Sequence, residues 1–120
     1  MRFEEFSMKV KETILPNLVL NNPKEGVSKI ISITENGSIC YKRKNSIVRI
    51  NIKYIFEAYE HFKSCTCTSN DLKKFNLKVF SGKGHSCNCT FFFMVLRKLS
   101  LCDDILGKGV RNSPFYVKIF

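Results

Sequence analysis

Three consecutive phenylalanines, Phe91-Phe92-Phe93, head an apolar run that extends to Leu101. The run has helical spacing. Phe92, Val95 or Leu96, and Leu99 fall on one stripe, while Asn88, Phe93 and Arg97 lie elsewhere. Consecutive helix positions point about 100° apart, so no single surface covers all three rings. At least one ring is exposed or meets a second surface. That surface is another part of the chain or another subunit.

The flanks of this run are informative. Ser86-Cys87-Asn88-Cys89-Thr90 is a polar lead-in, and Ser86 or Asn88 suits a helix N-cap. Asp103-Asp104 opens a hairpin, roughly Ile105-Leu106 against Tyr116 to Ile119. Between them lies a basic, glycine-punctuated segment, Gly107-Lys108-Gly109-Val110-Arg111-Asn112-Ser113-Pro114. The chain closes on an alternating run, Phe115 to Phe120.

Upstream, Asn51 can cap a helix in which Ile52, Ile55, Phe56, Tyr59 and Phe62 share a face. Ser64 to Cys67 is short and β-compatible. Thr68-Ser69-Asn70-Asp71 resembles a capping box with Asp in place of Glu, and Leu72, Phe75 and Val79 continue at helical spacing to Phe80. Lys29 to Ile50 reads as a three-stranded meander, with Asn36-Gly37 as a type I′ hairpin turn. Such a meander needs a partner to be stable. Residues 2–15 read as an amphipathic helix carrying Phe3, Phe6, Val10 and Ile14, ended by Pro16. Its stripe packs on its own domain or makes a homodimer. Asn21 to Gly26 is a turn cluster and the best linker candidate.

From Ile52 onward the order is helix, short strand, helix, turn, helix, β-hairpin. This order resembles a winged helix-turn-helix DNA-binding domain. The resemblance implies an α+β fold over residues 1–120 as a single domain: an N-terminal helix (1–22), an antiparallel meander (28–50) and a winged-helix region (52–120). It makes Ile52–Lys63 the first helix, Cys65–Cys67 the short strand and Ser69–Phe80 the second helix. Ser86–Leu101 becomes the recognition helix and Leu106–Pro114 the wing. The turn from Phe80 to Ser86 is longer than the three or four residues of a simple helix-turn-helix.

A recognition helix presents its N-terminal part to the major groove. The implied DNA contacts are therefore Ser86, Asn88 and Thr90, with Arg97 further along. Asn pairs with adenine and Arg with guanine. Lys83 and Ser86 would assist a phosphate at the helix start, and Lys108 and Arg111 would reach the backbone or minor groove from the wing. The bland alternative makes Ser86 and Asn88 mere caps and leaves Lys108 and Arg111 solvated.

Charge agrees with a polyanionic partner. The chain carries 20 Lys+Arg against 10 Asp+Glu, a formal net charge of +10. Residues 1–22 balance, with Arg2, Lys9 and Lys11 against Glu4, Glu5 and Glu12, so the excess lies further along. At 120 residues the chain suits one core. No apolar run approaches the roughly 20 residues of a membrane span, and Met1-Arg2-Phe3-Glu4-Glu5 is unlike a signal peptide. The expectation is a cytoplasmic protein whose six cysteines are mostly thiols.

Cys65, Cys67, Cys87 and Cys89, with His85, raise a zinc site or a redox switch. The Cys-x-Cys spacing argues against zinc, because structural sites use two to four intervening residues, and buried cysteine is a common small hydrophobe. Neither a cofactor motif nor a catalytic constellation is present. The glycines at 82, 84, 107 and 109 make no Walker or dinucleotide pattern, and no orienting carboxylate accompanies His85 and Cys87. The leading expectation is a winged-helix transcriptional regulator or accessory unit that binds double-stranded DNA, is not an enzyme, and possesses a dimer interface in residues 2–15. The rival is a protein-interaction module on the same scaffold, such as a phage or mobile-element inhibitor docking on an acidic or nucleic-acid-handling partner. The N-terminal helix, the meander and Phe91–Phe93 motivate that rival.

Overall fold

A computed structural model describes residues 1–82 and 86–120. The fold is α+β. It opens with α1 (Phe3–Thr13), followed by four strands, β1 (Val19–Asn21), β2 (Val27–Ile33), β3 (Ser38–Arg43) and β4 (Ser46–Asn51). Next come α2 (Ile52–Phe62), β5 (Thr66–Thr68), α3 (Ser69–Phe75), α4 (Leu77–Phe80), α5 (Cys87–Lys98) and β6 (Tyr116–Lys118).

The first four strands form one antiparallel sheet in sequence order. The expected three-stranded meander is therefore one strand short. Asn21 to Gly26 is not a linker but the β1–β2 turn. Asn22 holds it by accepting from the Ser28 hydroxyl at 2.7 Å and donating to the Glu25 carbonyl at 3.3 Å. Gly26 adopts a φ of 78° there, where a side chain would strain the backbone. The Asn36-Gly37 turn also differs from type I′. Only Gly37 takes positive φ, and its N–H donates to the Thr34 carbonyl at 2.9 Å. The result is a three-residue loop ending on a left-handed glycine.

Local chemistry sets the helix starts. Asn51 accepts from the Lys53 amide and caps α2. Thr68 and Asp71 exchange side-chain and backbone hydrogen bonds, a complete capping box for α3. The expected second helix, 69–80, breaks at Asn76, whose φ of −148° and ψ of 90° are extended. Ser86 makes no side-chain cap to α5, and Asn88 lies inside the helix rather than capping it.

The apolar stripe of α1 is used within the chain. Phe6, Val10 and Ile14 are fully buried, and Phe6 packs on Phe56 and stacks on Tyr59 of α2. Of the stripe expected to serve a dimer through residues 2–15, Phe6, Val10 and Ile14 are thus buried within the chain, while Phe3 stays partly exposed. At the other end, β5 and β6 pair antiparallel, with Cys67 opposite Val117. The segment leading to β6 returns along it through bridges Cys102–Ile119 and Leu106–Tyr116. No helix of the described residues is long and apolar enough to cross a membrane.

Helix α5 runs through the core. Every residue from Asn88 to Leu96 is buried. Phe91 stacks on Tyr41 of β3, with ring centroids 3.8 Å apart and planes 4° from parallel. Phe92 meets Phe80 edge-on. The three-phenylalanine run thus finds its second surface in the sheet of its own chain.

Candidate nucleic-acid interface

The sheet that covers α5 also occupies its polar side chains. Asn88 is 1% exposed. Its oxygen accepts from the Tyr41 hydroxyl at 2.8 Å, and its amide donates to the carbonyls of Val79 at 2.9 Å and Arg49 at 3.4 Å. Burial raises the Tyr41 pKa strongly, so the phenol stays a donor. Thr90 is 8% exposed; it accepts from the Arg43 guanidinium at 3.0 Å and donates to the Cys87 carbonyl at 3.2 Å. Neither side chain can meet a base edge in this fold, which corrects the recognition-helix reading at both positions. Breaking such buried bonds costs on the order of 1–3 kcal/mol per orphaned group. Accordingly, Asn88→Ala is expected to lower stability by about 2–3 kcal/mol, read as a reduced urea midpoint, because the Tyr41 hydroxyl and Val79 carbonyl lose their partner.

The other expected contacts are scattered. Arg97 is exposed near the C-terminal end of α5 and pairs with Asp104 at 2.5 Å. Lys108 and Arg111 are exposed on the loop that precedes β6. Ser86 is exposed beside α5. Lys83 lies outside the described residues.

Ser86, Thr90 and Arg111 nevertheless meet at one place. An open cleft of about 380 Å³ lies between the start of α3, the start of α5 and the loop 109–115. It is lined by Ser69, Asn70 and Lys73 of α3, by Ser86, Cys89 and Thr90 around the start of α5, and by Gly109, Val110, Arg111, Pro114 and Phe115 of the loop. Two cations and several hydroxyl and amide groups face it, with no carboxylate among the described lining residues. Neither Lys73 nor Arg111 takes part in an ion pair among the described residues.

The loop is built to hold its shape. The amides of Lys108, Gly109 and Val110 all donate to the Ser113 carbonyl, at 3.0, 2.9 and 3.2 Å. Gly109 has a φ of 71°, and a Cβ there would stand 2.4 Å from the Phe115 ring. A side chain at 109 would therefore displace a ring that lines the cleft. The α3 residues of the cleft, Ser69, Asn70 and Lys73, are absent from the expected contacts. The capping box at Thr68 was their signal, since it fixes where α3 begins and so which residues form its first turns.

The cysteines divide by environment. Cys65 is exposed and Cys87 half-buried, while Cys67, Cys89, Cys40 and Cys102 are buried. Among the described residues no three His, Cys, Asp or Glu side chains cluster as metal ligands; His85 lies outside them. Burial pushes the Cys89 thiol up to about 12 and Cys102 up to about 11, and raises Cys67 as well. Since these folded values exceed the ordinary thiol value of 9.0, the protonated thiols favour the folded state. Their contribution is whole below about pH 9 and is lost as pH rises from there through 11 and 12. Urea unfolding across a pH series is expected to show a midpoint that falls once pH exceeds about 9, with Tyr41 acting in the same sense.

The fold and cleft define an α+β protein with a basic, hydroxyl-lined groove. No family model, curated protein or solved structure matches the chain.

Proposed function

We propose that the chain is a small, basic DNA-binding module of winged helix-turn-helix type, which grips the sugar-phosphate backbone in the cleft between α3, α5 and the loop 109–115. The observation that carries this reading is the cleft itself, which Lys73 and Arg111 line together with Ser86 and Thr90, without a carboxylate among the described lining residues. The strand pairing supports the winged-helix assignment. β5 pairs with β6, and the segment 102–106 returns on the other side of β6. In this reading the loop 107–114 serves as the wing.

The module departs from the usual reader in one respect. α5 is enclosed by the sheet β1–β4, so its N-terminal side chains bond within the protein instead of to bases. Phosphate contacts position a protein but carry no sequence information. The fitting role is an accessory DNA-binding unit with little sequence preference, more than a regulator that selects an operator.

The test is a gel shift with unrelated duplexes of equal length over a salt series. Affinity falls linearly on a log–log plot as salt rises, and similarly for each duplex. Absence of binding to any duplex at low salt would sink the proposal.

A further inference from the structure

The sheet β1–β4 has a second face, turned away from α5. Register defines it. Val19 lies opposite Lys29, Lys29 opposite Lys42, and Lys42 opposite Ile47, so one row crosses all four strands. Two residues along, Val27 and Arg49 belong to the same face. Ile31 stands at the bulge in β2. Val19, Val27, Ile31 and Ile47 are 42–50% exposed. Lys29, Lys42 and Arg49 are exposed among them.

A solvated sheet face normally carries polar residues where the inner face carries apolar ones. Here β-branched aliphatics alternate with cations, and no carboxylate belongs to the face among its described residues. Exposed apolar groups gathered on one surface mark an interaction site.

Charge selects among the occupants. A second copy of the chain would set Lys29, Lys42 and Arg49 against the same three cations, an arrangement that like-charge repulsion opposes. A nucleic acid would meet the cations but leave four aliphatic side chains against phosphate and sugar. Among its described residues the face also offers no aromatic ring on which a base could stack. A protein surface that presents aliphatic side chains between carboxylates satisfies both halves at once. We propose that the outer face of the β1–β4 sheet docks an acidic partner protein, with Lys29 and Lys42 as the central charges and Val19, Val27 and Ile47 as the apolar contacts. This site is separate from the cleft, and neither reading requires the other.

The test follows backbone amide shifts of the full chain by NMR. The titrants are a short synthetic peptide alternating glutamate and valine, the same peptide with glutamine for glutamate, and a DNA duplex. The protein alone is diluted in parallel. The acidic peptide is expected to move the amides of Lys29, Ile31, Lys42 and Ile47, and the glutamine peptide to leave them in place. The exposed-site variant Lys29→Glu/Lys42→Glu should weaken peptide binding about tenfold or more. Val27→Thr/Ile47→Thr, which keeps every charge, should weaken it severalfold. The cleft variant Lys73→Ala/Arg111→Ala should bind the peptide as the parent does, even where it fails to bind duplex. No movement on this face with the acidic peptide overturns the proposal. So does movement of the same amides by duplex alone, or by dilution, which would assign the face to nucleic acid or to a second copy.

Discussion

Phe91→Ala is expected to lower the stability of the fold by about 3–5 kcal/mol. Phe91 is fully buried and lies flat against Tyr41. Its ring is a stacking contact between α5 and the sheet β1–β4, beside the hydrogen bonds of Asn88 and Thr90. Truncation removes the transfer energy of the ring and leaves a cavity that the surrounding strands fill only in part. The stacked pair adds roughly 0.5–1.5 kcal/mol beyond area burial. The loss should also reach the hydrogen bond from Tyr41 to Asn88, because the phenol is held by the same packing. Circular dichroism should show a melting temperature lower by about 12–20 °C, taking roughly 4 °C per kcal/mol for a domain of this size. A helix held clear for a DNA groove predicts the opposite. Its outward phenylalanine would be exposed, and alanine there would change stability by less than about 0.5 kcal/mol. Thermal unfolding of this one variant therefore separates a buried α5 from a groove-reading one.

The same helix shows where sequence reasoning reached and where it stopped. An apolar run that goes round the helix signals burial on several sides, and Phe91-Phe92-Phe93 announced a second covering surface. Naming the cover required contacts between residues far apart in sequence. Tyr41 and Asn88 are separated by 47 positions, and nothing in the lead-in Ser86 to Thr90 distinguishes a buried asparagine from a capping or base-reading one. Local chemistry was legible where the interaction itself is local. The Asn51 cap and the Thr68–Asp71 capping box each involve residues within three positions. β1 is not legible in the sequence because three residues cannot display an alternation, and its pairing partner, not its composition, makes it a strand. The break at Asn76 carries neither glycine nor proline, so helical spacing ran through it. For the candidate site, Arg111, Ser86 and Thr90 were named from pattern, but the cleft that joins them with Lys73 arises from how α3 and the loop approach α5.

Lys73→Ala/Arg111→Ala should reduce duplex affinity sharply while leaving the fold intact. Each cation that neutralises a phosphate releases counterions, with a log–log salt slope of about 0.9 per contact. Removing two contacts should therefore lower the slope by about 1.8, and the loss should be the same for every duplex sequence. Neither side chain pairs with a carboxylate among the described residues, so no buried charge is orphaned by the change. Thermal stability should consequently move by less than about 0.5 kcal/mol. Lys9→Ala, a single substitution on α1 outside the cleft, provides the control and should leave the slope within about one contact of the parent. A weaker affinity with an unchanged slope would mean that the two residues shape the cleft without touching phosphate. An unchanged affinity would place DNA elsewhere on the molecule and remove the cleft from the mechanism. Where the slope does fall by the expected amount, equal binding to unrelated duplexes would follow from the burial of Asn88 and Thr90, since the two side chains at the head of α5 best suited to read bases are bonded within the protein.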